Sequence, residues 1–318
     1  MIDHLFRLVN NFPPRVVFVH LRALFRDMGR SGEWNPVLQT GNPASALILK
    51  KHLKAIGLEQ TACNVAKKQA VPLMFDKLGA LCRYLTYQIA VERDAHAKFL
   101  LLRDRAYFSL ICHSGDRAGD LGQLTLDRVF ELPDNQGIFI SEISGKTVSL
   151  HNPKNIVVFR SKDDSICPVT HLQKYMSHAA TISVDITRGY LFRLKDKFSK
   201  DISEKQVTAT AMSDRLKCHL KAINLYNGES AHSSRRGCAI VLRMLGLADT
   251  SINQHIGWGS GGMLDHYARV GTLCSPNSVA ATLSDAAALQ PDGVSRLEVI
   301  SKQFSRLEHL SKFSCDNT

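Results

Sequence analysis

The apolar pattern of this chain shortens its period at Val129, and that change restricts the available folds more than any other feature. Upstream, Leu73 to Val91 and Ala95 to His113 carry apolar groups at helical spacing. From Val129 the period falls to two: VFELP, a turn at Asn135-Gln136-Gly137, IFISEISGKTVSL, then NIVVFRSK. This predicts three antiparallel strands. Helical spacing returns at Pro168 to Ala180 and, after a short GYLFR segment, at Gln206 to Ile223. The expected fold class is therefore mainly α with a small antiparallel β-meander, an α+β arrangement.

Before residue 70 the helical segments are shorter and rich in lysine. Apolar residues at Leu5, Leu8 and Val9, and again from Val16 to Phe25, are split by Pro13-Pro14 and predict two short helices. Asn42-Pro43 is a cap followed by a first turn, opening a helix expected to run through Ile56. A further helix is expected over Glu59 to Ala70. Lys50, Lys51, Lys54, Lys67 and Lys68 fall near its exposed faces and those of its predecessor, where they either follow a DNA backbone or are simply solvated. The expected domains are a helical unit at 1–70, a larger one at 71–290, and a C-terminal helix at 291–318. In that last helix Leu297, Ile300, Phe304 and Leu307 recur at coiled-coil-like spacing, a stripe that docks on its own core or on a partner.

Composition narrows the class of partner. With 318 residues the chain has room for roughly two domains. Lys and Arg outnumber Asp and Glu by 40 to 29, a net charge of +11 suited to neutralising phosphates. No apolar run approaches the roughly 18 residues of a membrane span, so no membrane partner is expected. The eight cysteines never form CxxC, and several sit in apolar surroundings such as LGALCRYL. They predict reduced, buried thiols, with no disulfide frame and no zinc site. No signal-peptide pattern opens the chain, and no secretion is expected.

The chemistry concentrates between His232 and Tyr267, in HSSRRGCAIVLRMLGLADTSINQHIGWGSGGMLDHY. A phosphodiester gains negative charge on its non-bridging oxygens as phosphorus becomes five-coordinate. Arginine answers that charge, because its planar fork matches phosphate oxygens and stays protonated at any working pH. Arg235 lies in this stretch; Arg117, at the end of a buried helix with Asp120 three residues on to orient it, supplies a second. Tyr267 is the natural nucleophile, but with an unperturbed pKa of about 10 it needs help to ionise. His232 can take the proton. Lys146, in the turn region between the second and third strands, can give one to the departing sugar oxygen. No acidic cluster suited to paired magnesium ions stands out, so a covalent mechanism without metal or cofactor is expected.

These residues resemble, in order, the site of the tyrosine recombinase (phage integrase) family. DRAGDL looks like its first-arginine motif, GKT like its hairpin lysine, HSSR like its His-x-x-Arg box, and IGWGSGGMLDHY like its closing segment. Trp258 stands 267 − 258 = 9 positions before the tyrosine, where the family carries His or Trp. That spacing selects Trp258 over His255, which reads as a helix-face residue. The resemblance covers roughly 72–275. It implies a C-shaped clamp on duplex DNA, with the helices before residue 70 corresponding to a DNA-clamping domain shorter than usual. It also implies a 3′-phosphotyrosyl bond to Tyr267, a phosphate gripped by Arg117 and Arg235, protonation of the 5′-oxygen by Lys146, and proton transfer assisted by His232. Trp258 would contact the phosphate through its indole N–H. Metal and ATP would not be needed. A homo-oligomer, tetrameric on its DNA synapse, is the implied assembly.

Within that family, EQTACNVAKKQAVPL, the HSSRRG form of the box and the tryptophan are similar to recombinases of eukaryotic Crypton- or DIRS-type mobile elements. The resemblance leans towards a nuclear location over a bacterial cytoplasm or nucleoid. Two other readings share these residues: a type IB topoisomerase-like relaxase, and a DNA-binding protein that keeps the fold without cutting.

Overall fold

A computed structural model of the chain describes residues 14–63, 71–145, 148, 150–151, 153–195, 201–258 and 261–303. The chain forms two compact units, Met1–Gln69 and Ala70–Thr318.

In the first unit, α1 (Pro14–Asp27) is followed by a short turn of 3₁₀ helix at Pro43–Ser45 and by α2 (Leu47–Ala62). Asn42 secures the join between them. Its side-chain oxygen accepts from the Ala44 N–H, its amide donates to the Arg22 carbonyl, and Arg22 Nε returns a bond to the Ala44 carbonyl. Two sequence expectations change here. The cap at Asn42 opens only the 3₁₀ turn, and α2 runs unbroken through Gly57 where two helices were expected. A single glycine costs a helix about 1 kcal/mol, too little to break it. Lys50, Lys51 and Lys54 are exposed, and Lys50 pairs with Glu33 at 2.7 Å. Lys67 and Lys68, together with the helix predicted around Leu5, lie outside the described residues.

The second unit is built around α4 (Ala95–Ser114). Asp94 caps its start through the Ala97 N–H, and left-handed Gly115 ends it, donating to the Ile111 carbonyl. From Phe99 to Cys112 almost every residue is buried, because α3 (Phe75–Val91), α6 (Pro168–Thr181) and α8 (Ala231–Met244) pack around it. α3 turns Leu78, Leu81, Cys82 and Leu85 inward, the i, i+3, i+4, i+7 positions of one helix face. A polar cluster sits within this core. Asp104 accepts from Arg103, Arg215 and His219, and although burial pushes its carboxyl up, those neighbours hold it well below the usual carboxylate range.

The meander expected from Val129 is present: β1 (Val129–Glu131), β2 (Gly137–Glu142) and β3 (Lys154–Phe159), paired antiparallel in that order. Sequence reasoning missed a second, two-stranded sheet of β4 (Arg193–Lys195) and β5 (Ile202–Gln206). Helix α7 therefore starts later than expected, spanning Ala209–Ala222 with Thr208 as its cap. The mean class of the fold stands: mainly α with small antiparallel sheets.

Beyond α8, the helices α9 (Asp249–Ile256) and α10 (Gly261–Leu273) share a small second core made of Ala239, Ile240, Ile252, Ile256, Trp258, Leu264 and Ala268. The Ala-rich piece folds as α11 (Val279–Ala287), and residues 296–303 are again helical. In that last helix Leu297 and Ile300 are exposed; Phe304 and Leu307 lie outside the described residues. Among the cysteines, Cys82, Cys112, Cys167 and Cys238 are buried free thiols as expected, whereas Cys63, Cys218 and Cys274 are exposed. Those three sit on solvent-facing positions of otherwise amphipathic segments, which a reading by neighbouring apolar residues does not distinguish.

Candidate active site

The turn that ends α4 sets the first arginine. Gly115 takes φ +63, and an added Cβ there would stand 3.0 Å from Ile256 and 3.2 Å from the Cys238 sulfur. Glycine is thus required both by conformation and by the close approach of α8 and α9. The chain then passes through Asp116 to Arg117, the residue that precedes the five-residue helix α5 (Ala118–Gly122). As the sequence suggested, Asp120 orients this arginine, its Oδ2 accepting from Nη1 at 3.3 Å.

The hairpin between β2 and β3 passes over the same carboxylate. A Cβ on Gly145 would lie 2.7 Å from Asp120 Cγ, so the residue immediately before Lys146 packs against the group that orients Arg117. Lys146 itself lies outside the described residues.

Helix α8 presents the histidine and the second arginine. Ser230 and Ser233 form a reciprocal capping box at its start, which fixes the first turn that carries His232. One helical turn on is Arg235, 2% exposed, whose Nη1 donates to the carbonyls of Gly115 at 2.8 Å and Ile256 at 2.9 Å. These carbonyls end α4 and α9, so one guanidinium ties together the C-termini of two helices, where their dipoles favour a cation. Its carbon stands 5.1 Å from the centroid of the Trp258 ring, a cation–π stack. His232 is exposed, but the protein packed against it, followed by the charges of Arg235 and Arg117, lowers its pKa. That shift keeps the imidazole neutral near pH 7 and able to accept a proton.

Trp258 follows Gly257, which ends α9 at φ +77, and the indole is 7% exposed. His255 is committed elsewhere: its Nε2 pairs with the His113 carbonyl at 2.8 Å. Tyr267 lies on α10, whose side-chain description at that position is outside the described residues. Its backbone is nonetheless well fixed. Leu264 and Ala268 are fully buried beside Trp258, Asp265 accepts from Arg243 of α8, and a Cβ on Gly271 would lie 2.7 Å from the Ile240 carbonyl. Ala268, directly after the tyrosine, departs from helical geometry at φ −123.

The structure thus brings Arg117, His232, Arg235 and Trp258 into one neighbourhood. Three residues missed by sequence reasoning lie beneath them. Lys154 forms an ion pair with Asp116, next in sequence to Arg117, and lies across from Glu142 in the β2–β3 register. Both oxygens of Glu142 and Oδ2 of Asp116 are buried with no donor of their own in reach. Two carboxyls in that position cannot both be ionised. Burial first, then the Asp116 charge, push Glu142 up to about 9, against the pull of Lys154. At neutral pH the pair therefore holds a proton. The signal was present in the sequence: strict alternation puts Glu142 in phase with Ile138 and Ile140, and Lys154 with Ile156 and Val158, hence inward. Among the described residues no group of His, Cys, Asp and Glu has the arrangement of a metal site.

No protein-family model and no curated protein sequence matches the chain. Solved structures do. A XerH site-specific recombinase, in a post-cleavage complex with a palindromic difH substrate, is similar at TM-score 0.50 and 15% identity over 68% of this chain and 54% of that one. A Tn1549 transposon integrase in complex with transposon right-end DNA gives 0.48 at 13% identity over 90% and 92%, and a XerA recombinase 0.44 at 17% over 84% and 83%. The chain spans about half the length of the XerH chain, and that match carries the fold.

Proposed function

We propose that this chain, which has the fold of the tyrosine recombinases, is itself a recombinase that cuts and rejoins duplex DNA through a covalent bond to Tyr267. The phenolic oxygen attacks the phosphorus, the bond to the 5′-oxygen breaks, and the DNA is left joined to the protein by its 3′-phosphate. Arg117 and Arg235 hold the non-bridging oxygens as charge builds on them. A donor placed in this way is worth on the order of 100- to 1000-fold in rate. His232, neutral near pH 7, assists removal of the phenol proton, and Lys146 gives a proton to the departing 5′-oxygen. Trp258 fixes the plane of the Arg235 guanidinium and offers its indole N–H to the phosphate. A 5′-hydroxyl of a partner strand then attacks the phosphotyrosine, which restores the phosphodiester and frees the tyrosine. The bond energy is conserved throughout, so ATP is not required, and the guanidiniums supply the positive charge that a metal ion would otherwise bring.

The observation that carries this reading is the meeting of Arg117, His232, Arg235 and Trp258 from three separate stretches of chain: His232 senses both guanidiniums, and Arg235 stacks on Trp258. Isolated arginines on a basic surface have no reason to converge on a histidine. The partner is double-stranded DNA, and the assembly on it a homo-oligomer.

A library of nicked duplexes drawn from the DNA flanking the gene tests the reading, because a nick lets the short 5′ fragment diffuse away and traps the covalent complex. We expect a denaturant-stable protein–DNA adduct with the wild-type chain and none with Tyr267→Phe. Duplexes that are bound by the wild type yet never yield an adduct would overturn it in favour of a DNA-binding protein that does not cut.

A further inference from the structure

Well along α4 from Gly115 lies a second arginine-bearing site that the reaction does not use. Arg105 is 4% exposed and lines a solvent-open cleft of about 500 Å³ between α3, α4 and α6. Its neighbour Asp104 binds three cationic or donor side chains, yet Arg105 forms no ion pair among the described residues. Its Nη1 donates to Thr86 Oγ1 at 2.7 Å, and its Nε is buried with no acceptor. The Cys82 thiol, whose charge would bear on Arg105, is pushed up to about 12 by burial and stays neutral. His171, close by, is lowered to about 3 by burial and then by the charges of Arg105 and Lys174, and it too stays neutral.

A buried guanidinium without a counter-charge is among the most unfavourable arrangements a core can hold. Here it opens onto a cleft rather than onto packed side chains. Lys174 adds a second positive charge at the wall, Ser177 and Thr181 add hydroxyls, and Ile89 and Leu102 give an apolar side. We propose that this cleft binds a compact oxyanion, a phosphate or a carboxylate on a small body, whose charge pairs with Arg105 and Lys174. Arginine suits such a ligand because its guanidinium stays charged and carries donors beyond the one given to Thr86. The recessed position of the guanidinium disfavours the backbone of duplex DNA, whose phosphates ride on a wide, stiff cylinder, and selects a ligand small enough to enter.

The test compares thermal melting of the full chain and Arg105→Met, titrated with inorganic phosphate and separately with acetate at constant ionic strength. In oxyanion-free buffer the variant should melt at or above wild type, since an apolar side chain of similar volume replaces an unpaired buried charge. Phosphate or acetate should raise the melting temperature of the wild type with each tenfold step in concentration, and that rise should be absent or much smaller in the variant. Phosphate held at the DNA site would stabilise both proteins alike, so only the difference between them reports on this cleft. Equal responses of the two proteins to both anions, or a variant that melts well below wild type without added oxyanion, would overturn the proposal. The second result would assign Arg105 a purely structural role through Thr86.

Discussion

Glu142 is the group through which pH reaches the floor of the candidate site. Its folded carboxyl binds a proton more tightly than the unfolded chain does, so the stability it contributes is fully present below the ordinary carboxylate pKa. That stability is lost as pH rises towards about 9. Wild-type melting temperature should therefore decline across this window, while Glu142→Gln, which keeps a donor for Asp116 without a titrating group, should show a flatter profile and melt higher at pH 9. Superimposable profiles would exclude the shared proton. His232 gives the complementary prediction for the reaction. Because its pKa is lowered, the acid limb of the cleavage rate should fall below the pKa of about 6.5 usual for histidine. His232→Ala should lower cleavage about 10²- to 10⁴-fold and remove that limb. Arg117, His232, Arg235 and Trp258 could be read from the sequence because each sits in a short, ordered motif. For Glu142 and Lys154 the strand alternation marks only the inward direction; their role depends on Asp116, brought to them by a turn at the end of a different element.

At the level of elements, one close approach ties the meander to the site. Gly257 ends α9 in a left-handed conformation, and a Cβ there would stand 2.9 Å from Cδ of Lys154, the lysine that pairs with Asp116. Gly257→Ala should destabilise the fold by about 1–2 kcal/mol through backbone strain alone. It should also displace Lys154, whose charge opposes the rise of Glu142, and so steepen the pH dependence set by Glu142, which thermal melts across pH would detect. Arg243 of α8 joins α9 and α10 through Asp249 and Asp265, but both carboxylates are largely exposed, so this bridge adds little beyond the buried contacts of Leu264 and Ala268. The helices and the meander were legible because their periods of 3.6 and 2 are sustained over many residues. The β4–β5 pair was not, since β4 has three residues and β5 alternates too weakly between apolar and polar to stand apart from the helix that follows. The continuity of α2 through Gly57 was missed because a single glycine is too weak a breaker to end a helix.

For the whole molecule, the decisive property is charge. A net +11, taken with the proposed grip on phosphates, predicts DNA binding that weakens steeply with salt. The loss should be about 10³- to 10⁵-fold between 50 and 200 mM if roughly 6–10 phosphates are contacted. Fluorescence anisotropy on a fixed duplex measures this directly, and salt-independent binding would rule out a phosphate-based clamp. Composition gave the expected sign of the partner, and motif order the proposed chemistry. The location of the second positive cleft at Arg105 was not visible, because only packing shows that Asp104 gathers three partners while Arg105 beside it, bonded to Thr86, has no counter-charge among the described residues. The claim on which the account turns is the identity of the nucleophile and the end of DNA it holds. Peptide mapping of the trapped adduct by mass spectrometry tests both at once. A 3′-phosphate carried on Tyr267 is expected; a phosphate on any other residue, or a 5′ linkage, would contradict the proposed recombinase chemistry.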